Sequence, residues 1–268
     1  MELTPIIKRL KKNIPFCITA TICLLLLIGV SLGIYAKETT EEKKAEEKIT
    51  IIVDAGHGGI DPGKVSETGV KEKDLNLAIA TKVAARLEKY GYNVIMTRTG
   101  DASLAEMGAK NQKRSDMDNR IKLINDTKPA CLLCIHQNSY TDPAIHGAQV
   151  FYQNLSAEGQ LLAQTIQSRL ISEVEPENKR EAKPGDSYYI LKKSSCTSVI
   201  VECGFLSNPE ETIKLSDEAY QDLLVKAICA GLNDYYMPEK NNEADDTSEE
   251  DTIQNPLDIF RKNKTNEE

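Results

Sequence analysis

The stretch ITIIVDAGHGGIDPGK, residues 49–64, governs how the rest of the chain is read. Its first seven residues are a short, β-branched, apolar run, the pattern of a buried strand. A glycine-rich exit follows, and two chemistries compete for it. Gly58, four residues, Gly63 and Lys64 fit the spacing of a phosphate-cradling loop. Such a loop needs Ser or Thr after its lysine and a helix opening there, so that free N–H groups and the helix dipole face the phosphate. The chain has Val65 instead, followed by SETGV. The nucleotide reading is therefore set aside. The glycines read as bare backbone around His57, leaving room for a bulky ligand.

From that strand outward the pattern alternates as far as Tyr236. Further strands are expected at 92–98 (YNVIMTR), 130–136 (ACLLCIH), 148–152 (AQVFY), 187–191 (SYYIL) and 198–202 (SVIVE). Helices are expected at 73–90, 116–125, 156–174 and 216–236. In the first, Leu75, Ile79, Val83 and Leu87 recur four apart with Ala78 and Tyr90 on the same face, and Gly91 stops it. In the third, Leu161, Leu162, Thr165, Ile166 and Leu170 form the inward side. This alternation specifies an α/β fold: a single domain over residues 49–237 with a mostly parallel central sheet flanked by helices on both faces. Residues 99–115 form a long polar loop, a length usually tied to function.

The two ends differ from this middle. Residues 1–13 carry Lys8, Arg9, Lys11 and Lys12, and residues 14–36 carry no charge. The uncharged run is long enough to cross a hydrocarbon core of about 30 Å. Its positive flank stays cytoplasmic, which predicts an uncleaved transmembrane signal-anchor with the following domain outside the cytoplasm, a signal peptide cleaved at Ala36 being the competitor that Ile34 disfavours. Residues 37–48 read as a charged stalk. Residues 238–268 read as a disordered acidic tail, too poor in apolar side chains to offset its ordering entropy. A net charge of −8 argues against nucleic acid as a partner. Of seven cysteines, Cys17 and Cys23 lie in the apolar run and five remain. Cys131 and Cys134 sit three apart on a strand and so face opposite sides, which fits packed thiols better than a redox pair or zinc knuckle.

Three polar residues interrupt apolar strand ends: His57, His136 and Glu202. In open α/β sheets, ligands bind beyond the carboxyl ends of the strands. Burying an imidazole or carboxylate there without a partner costs several kcal/mol, so a polar partner or an ion is implied. Catalytic zinc takes three protein ligands, His and carboxylate among them, and keeps one position open. The third ligand would be an acid or His146. Glu72 opens the helix directly after the His57 loop, and Glu67 in the loop itself competes with it. Asn76, Asn138 and Arg180 are polar candidates for ligand contacts, and His146 reads as a rim residue.

Taken together, IIVDAGHGGIDPG, KEKDLNLAIA, VIMTR, RIKLIN, IHQNS, GAQVFY and VIVECGFLSNPEE, in that order, resemble the zinc-dependent N-acetylmuramoyl-L-alanine amidases of bacterial cell walls. The resemblance runs from about residue 49 to 236. The apolar N-terminal segment, GAQVFY and GFLSNP are similar to the germination-specific members of spore formers. The resemblance implies one zinc ion held by His57, Glu72 and His136, with Glu202 as catalytic acid/base. It implies hydrolysis of the amide between the lactyl group of N-acetylmuramic acid and L-alanine in peptidoglycan, ahead of muramic-δ-lactam formation in the spore cortex. Some family members work with activating partner proteins, and the acidic tail or the 99–115 loop would serve that contact. HQNS stands where the family more often has HANA, which sets Gln137 beside His136. Two other classes share the layout: a peptidoglycan-binding module without turnover, and a zinc peptidase or deacetylase.

Overall fold

The structure, a computed structural model, describes residues 48–237. The expected signal-anchor at 14–36, the tail at 238–268 and all of the stalk but Lys48 lie outside them. Among the described residues no helix is long and apolar enough to cross a membrane.

Six strands form one sheet: β1 (Thr50–Ala55), β2 (Asn93–Met96), β3 (Cys131–Asn138), β4 (Gln149–Tyr152), β5 (Lys183–Pro184) and β6 (Thr197–Phe205), in the order β2-β1-β3-β6-β4-β5. The pairs β1–β2, β1–β3 and β3–β6 are parallel, β4 runs antiparallel to β6, and β5 pairs parallel with β4. The sheet is thus mixed, with the expected parallel core and one reversed strand beside it. Among the described residues six helices accompany it: α1 (Glu72–Lys89), α2 (Gln112–Thr127), α3 (Ala157–Glu173), α4 (Tyr189–Lys193), α5 (Pro209–Ser216) and α6 (Glu218–Tyr236).

Strand side chains alternate between faces, and the core divides accordingly. Ile51, Val53, Leu133, Val199 and Val201 pack with Ile79 and Val83 of α1, Leu162 and Ile166 of α3, and Leu224 and Ile228 of α6. On the other face Ile52, Leu132, Cys134 and Ile200 meet Ile124 of α2 and Ile190 and Leu191 of α4. Cys131 joins the first cluster and Cys134 the second, and all five cysteines of this region are free thiols.

Several local expectations are corrected. SYYIL is mainly helical, as α4, because Gly185 turns the chain first. Its N–H bonds to Tyr152 O and its carbonyl accepts the N–H of Tyr188, which drives Ile190 and Leu191 down onto the sheet. The helix expected at 216–236 is found as α6 but begins at Glu218, since Asp217 is extended (φ −86°, ψ 127°), and a separate helix α5 that was not expected ends at Ser216. The Asp217 carboxylate accepts from the N–H of Tyr220, a cap worth about 1 kcal/mol. Helix α2 starts earlier than expected, where Asn111 accepts from the N–H of Arg114, so the polar loop is shorter than 99–115. Leu161 is exposed, and α3 turns Ala163 and Gln167 inward instead. Tyr90, expected on the buried face of α1, is also exposed. Strands β3 and β6 run past His136 and Glu202, so neither residue ends its strand.

Candidate metal and catalytic site

His136 and Glu202 are Cα partners in the β3–β6 ladder, just before its register shifts between His136 and Asn138. Both fall on the sheet face covered by α2 and α4. His57 follows β1 two residues later and is left-handed, with φ +62°. That conformation costs a non-glycine residue on the order of 1 kcal/mol and needs outside support. Glu72 is the first residue of α1.

The four side chains converge. Glu72 Oε1 lies 2.9 Å from His136 Nδ1 and 3.2 Å from His57 Nε2. The same carboxylate accepts the N–H of Lys64 at 2.8 Å and of Gln137 at 3.2 Å. His57 Nδ1 meets Asp61 Oδ2 at 2.9 Å, and Lys113 Nζ meets Asp61 Oδ1 at 2.8 Å. Tyr188 donates its hydroxyl to Glu202 Oε1 at 3.0 Å. Glu202 Oε2 is buried and has no partner among the described residues.

The charges follow from these contacts. Burial pulls the His57 imidazole down, but Glu72 and Asp61 outweigh it and hold it up at about 9. The His136 imidazole rises for the same reason, with burial opposing and Glu72 prevailing. Burial works to raise Glu72, and the two histidines drive it well below the usual carboxylate range. Glu202 goes the other way: burial raises it, and the pull of His136 does not compensate.

Two glycines make the space. A Cβ on Gly56 would collide with the His136 ring. Gly63 has φ +66°, and a Cβ there would stand 2.5 Å from Glu72 Oε2 and 2.8 Å from His57 Cδ2. The nucleotide reading fails structurally as well. The N–H groups of Gly63 and Lys64 are spent on Asp61 and Glu72, and no helix begins until Glu72.

One donor atom each from His57, Glu72 and His136 lie within 4.8 Å of one another. Two imidazoles and one carboxylate are the donor set of a catalytic zinc site. Three convergent donors, the glycine-cleared space and a fourth side chain, the Glu202 carboxylate with its unpartnered oxygen, fit that ion. Glu67 stays outside the cluster, exposed on the loop.

Sequence reasoning missed what holds the His57 loop. Arg98 donates from Nε to Ala55 O at 2.9 Å and from Nη2 to Gly56 O at 3.0 Å and Lys73 O at 2.8 Å. Arg120, 1% exposed, donates to Ala55 O at 3.0 Å and His57 O at 2.7 Å, and pairs with Asp54 and Asp116. The available signal was Asp54, a carboxylate inside an otherwise apolar strand.

The expected ligand-contact residues separate. Asn76 is fully buried; its amide donates to Gly56 O at 3.1 Å and Glu72 Oε1 at 3.3 Å and accepts from Gln137 at 3.2 Å. It supports Glu72 and is closed to a substrate, which corrects its expected role. Asn138 stands at the end of β3, half-buried. Arg180 donates from Nε to His146 O at 2.8 Å and from Nη1 to Gln149 Oε1 at 3.2 Å, while His146 is exposed on the rim. Beside the cluster lies a cavity of about 510 Å³ between Lys64–Glu67 side chains, Tyr140, Pro143 and Leu206.

Comparisons with known proteins point one way. Residues 51–234 match the family described as N-acetylmuramoyl-L-alanine amidase. A germination-specific N-acetylmuramoyl-L-alanine amidase of Bacillus subtilis is 36% identical over 189 residues, covering 69% of this chain and 79% of that protein. Among solved structures, the CwlD amidase from Clostridioides difficile in complex with the GerS lipoprotein shares 38% identity with a TM-score of 0.69, over 70% of this chain and 98% of that one. An N-acetylmuramoyl-L-alanine amidase from Clostridium difficile 630 shares 32% with a TM-score of 0.64, over 71% and 98%.

Proposed function

The chain belongs to the N-acetylmuramoyl-L-alanine amidase family and is a hydrolase of that class, and from that premise we propose that it uses zinc to cleave the amide between N-acetylmuramic acid and L-alanine in peptidoglycan. The likeness to a germination-specific relative supports a role in stripping stem peptides for muramic-δ-lactam formation in the spore cortex. One observation carries the chemistry: three ligand-type side chains converge while Glu202 stands beside them with an open oxygen.

His57, Glu72 and His136 would hold the zinc, which when bound supplies Lewis-acid polarisation of water and of the scissile carbonyl. Asp61 fixes the His57 ring from behind, as a carboxylate typically does for a metal-bound histidine. Glu202 Oε2 takes the proton of the attacking water and returns it to the leaving amine nitrogen. Its burial-raised pKa suits it to hold that proton between the two transfers. Tyr188 keeps Oε1 engaged, so that Oε2 is the oxygen left to react. Asn138 and Arg180 border the site as substrate contacts.

Residues 14–36 would anchor the chain and leave this domain outside the cytoplasm, where the substrate is. The relative solved with a lipoprotein supports a partner protein for this chain too.

Mass spectrometry of digested peptidoglycan tests the reading. Stem peptides that begin with L-alanine are expected. Free amino acids or acetate would transfer the chain to peptidase or deacetylase chemistry, and an unchanged digest would leave only a binding module.

A further inference from the structure

Three arginines of this domain are spent on carboxylates, and Arg98 on main-chain oxygens. Arg114 meets Asp118, Arg120 meets Asp54 and Asp116, and Arg169 meets Asp234 and Glu173. Arg180 has no carboxylate within ion-pair distance among the described residues. Its guanidinium is nonetheless held in place. It lies 4.5 Å over the Phe205 ring, and two of its N–H groups go to neutral oxygens, His146 O and Gln149 Oε1. The contacts leave Nη2 uncommitted. A planar cation fixed this way, with one edge open, is shaped for a carboxylate.

Its location relates it to the reaction. Gln149 is the Cα partner of Glu202 in the β4–β6 ladder, so their side chains share one sheet face. Arg180 therefore stands one strand spacing of about 5 Å plus a glutamine side chain from Glu202. Measured along a substrate, the residue after L-alanine has its Cα about 5 Å beyond the scissile nitrogen. A carboxylate on that Cα falls within the same span.

Resting on the amidase reading, we propose that Arg180 is a specificity-determining residue that binds the free α-carboxylate of the residue following L-alanine in the peptide leaving group. The site thereby selects acidic stem peptides over those in which this carboxylate is an amide. The neutral amide cannot form the charge-assisted pair and presents an N–H to a donor.

The test uses the full chain, zinc-loaded in detergent, and two probes: N-acetylmuramoyl-L-alanyl-γ-D-glutamyl-L-lysine and the same molecule with its α-carboxylate converted to a carboxamide. The wild type should favour the acid by 10-fold to 100-fold in kcat/KM, mainly through KM. Arg180→Gln should abolish that preference, and Arg180→Lys should restore part of it. Zinc content and thermal midpoint are read on each variant, and should a variant fail to fold, the wild-type comparison decides alone. Equal wild-type rates on the two probes overturn the clamp while leaving the amidase reading intact. So does a preference that survives in Arg180→Gln. Cleavage of neither probe by the wild type refutes the amidase reading, and the clamp with it.

Discussion

His136 and Glu202 face each other across a parallel ladder, one strand spacing apart, with main-chain hydrogen bonds setting their separation. A proposed metal ligand and the proposed base are thus fixed by the rigid centre of the sheet. Glu202→Gln keeps the shape and the bond from Tyr188 but cannot accept a proton. Zinc content should match wild type and turnover should fall by about 10²–10⁴-fold or more. Near wild-type turnover would remove Glu202 from the chemistry.

Gly56 tests the space around the ligands without touching one. Gly56→Ala puts a methyl into the His136 ring, so that ring must move. Zinc retained after gel filtration should drop, as it should in His136→Ala, which loses a ligand outright. Full zinc in either variant contradicts the assigned triad.

Arg120 is almost wholly buried with Asp54, which is 2% exposed. Burial would raise that carboxylate, yet Arg120 and Thr97 hold it below its usual range. Arg120→Met leaves the charge unpaired and should cost about 3–5 kcal/mol in urea denaturation. Adding Asp54→Asn should return part of the loss, because the stranded charge is gone. Strict additivity of the two changes would show that the pair is not coupled.

Glu211 gives a pH signature away from the metal. It is 3% exposed, and burial pushes its carboxyl up to about 7 against the N–H of Phe205 at 2.7 Å. The folded chain then keeps a proton that the unfolded chain releases near 4.5. Where the folded state binds more protons, stability falls as pH rises. The contribution of Glu211 should therefore decline from about pH 4.5 to about pH 7 and level off above. Glu211→Gln should flatten that interval of the stability–pH curve whatever its constant offset. An unaltered slope would place the ionised form comfortably in the fold.

The five cysteines of the domain offer a test of packing. Four are buried, and burial lifts the Cys131 and Cys229 thiols to about 12. In a chain with Cys17 and Cys23 changed to serine, a thiol reagent should label Cys196 at most until denaturant is added. Rapid labelling of more than one thiol would mean that the sheet opens locally.

The legible parts of the site were those in which chemistry clashed with pattern. His57, His136 and Glu202 could be found because each breaks an apolar run. Glu72 was narrower: its place at the start of the helix after the His57 loop set it ahead of Glu67, and the family resemblance agreed. Asn76 was misjudged because its helical position, one turn after Glu72, says that it is near the site and not which way its amide is spent. Arg98 and Arg120 were announced only by Asp54, since their other partners are mostly main-chain oxygens brought close by long-range folding, and Asp61, four residues from His57, was overlooked in the loop. SYYIL has the β-branched and aromatic content of a strand, and the Gly185 turn overrode it. Leu161 lay one step off a stripe whose register only the packing against α6 decides.

The two arginines behind the His57 loop have a mechanical consequence. Arg98 and Arg120 both grip Ala55 O, and between them they also hold the carbonyls of Gly56 and His57. The loop is doubly fastened to the body, so one wall of the cleft is stationary. A glycan strand with a peptide still attached is bulky, and any widening needed to admit it falls to parts of the cleft other than this loop. In this enzyme the histidine loop is the anvil against which the substrate is set.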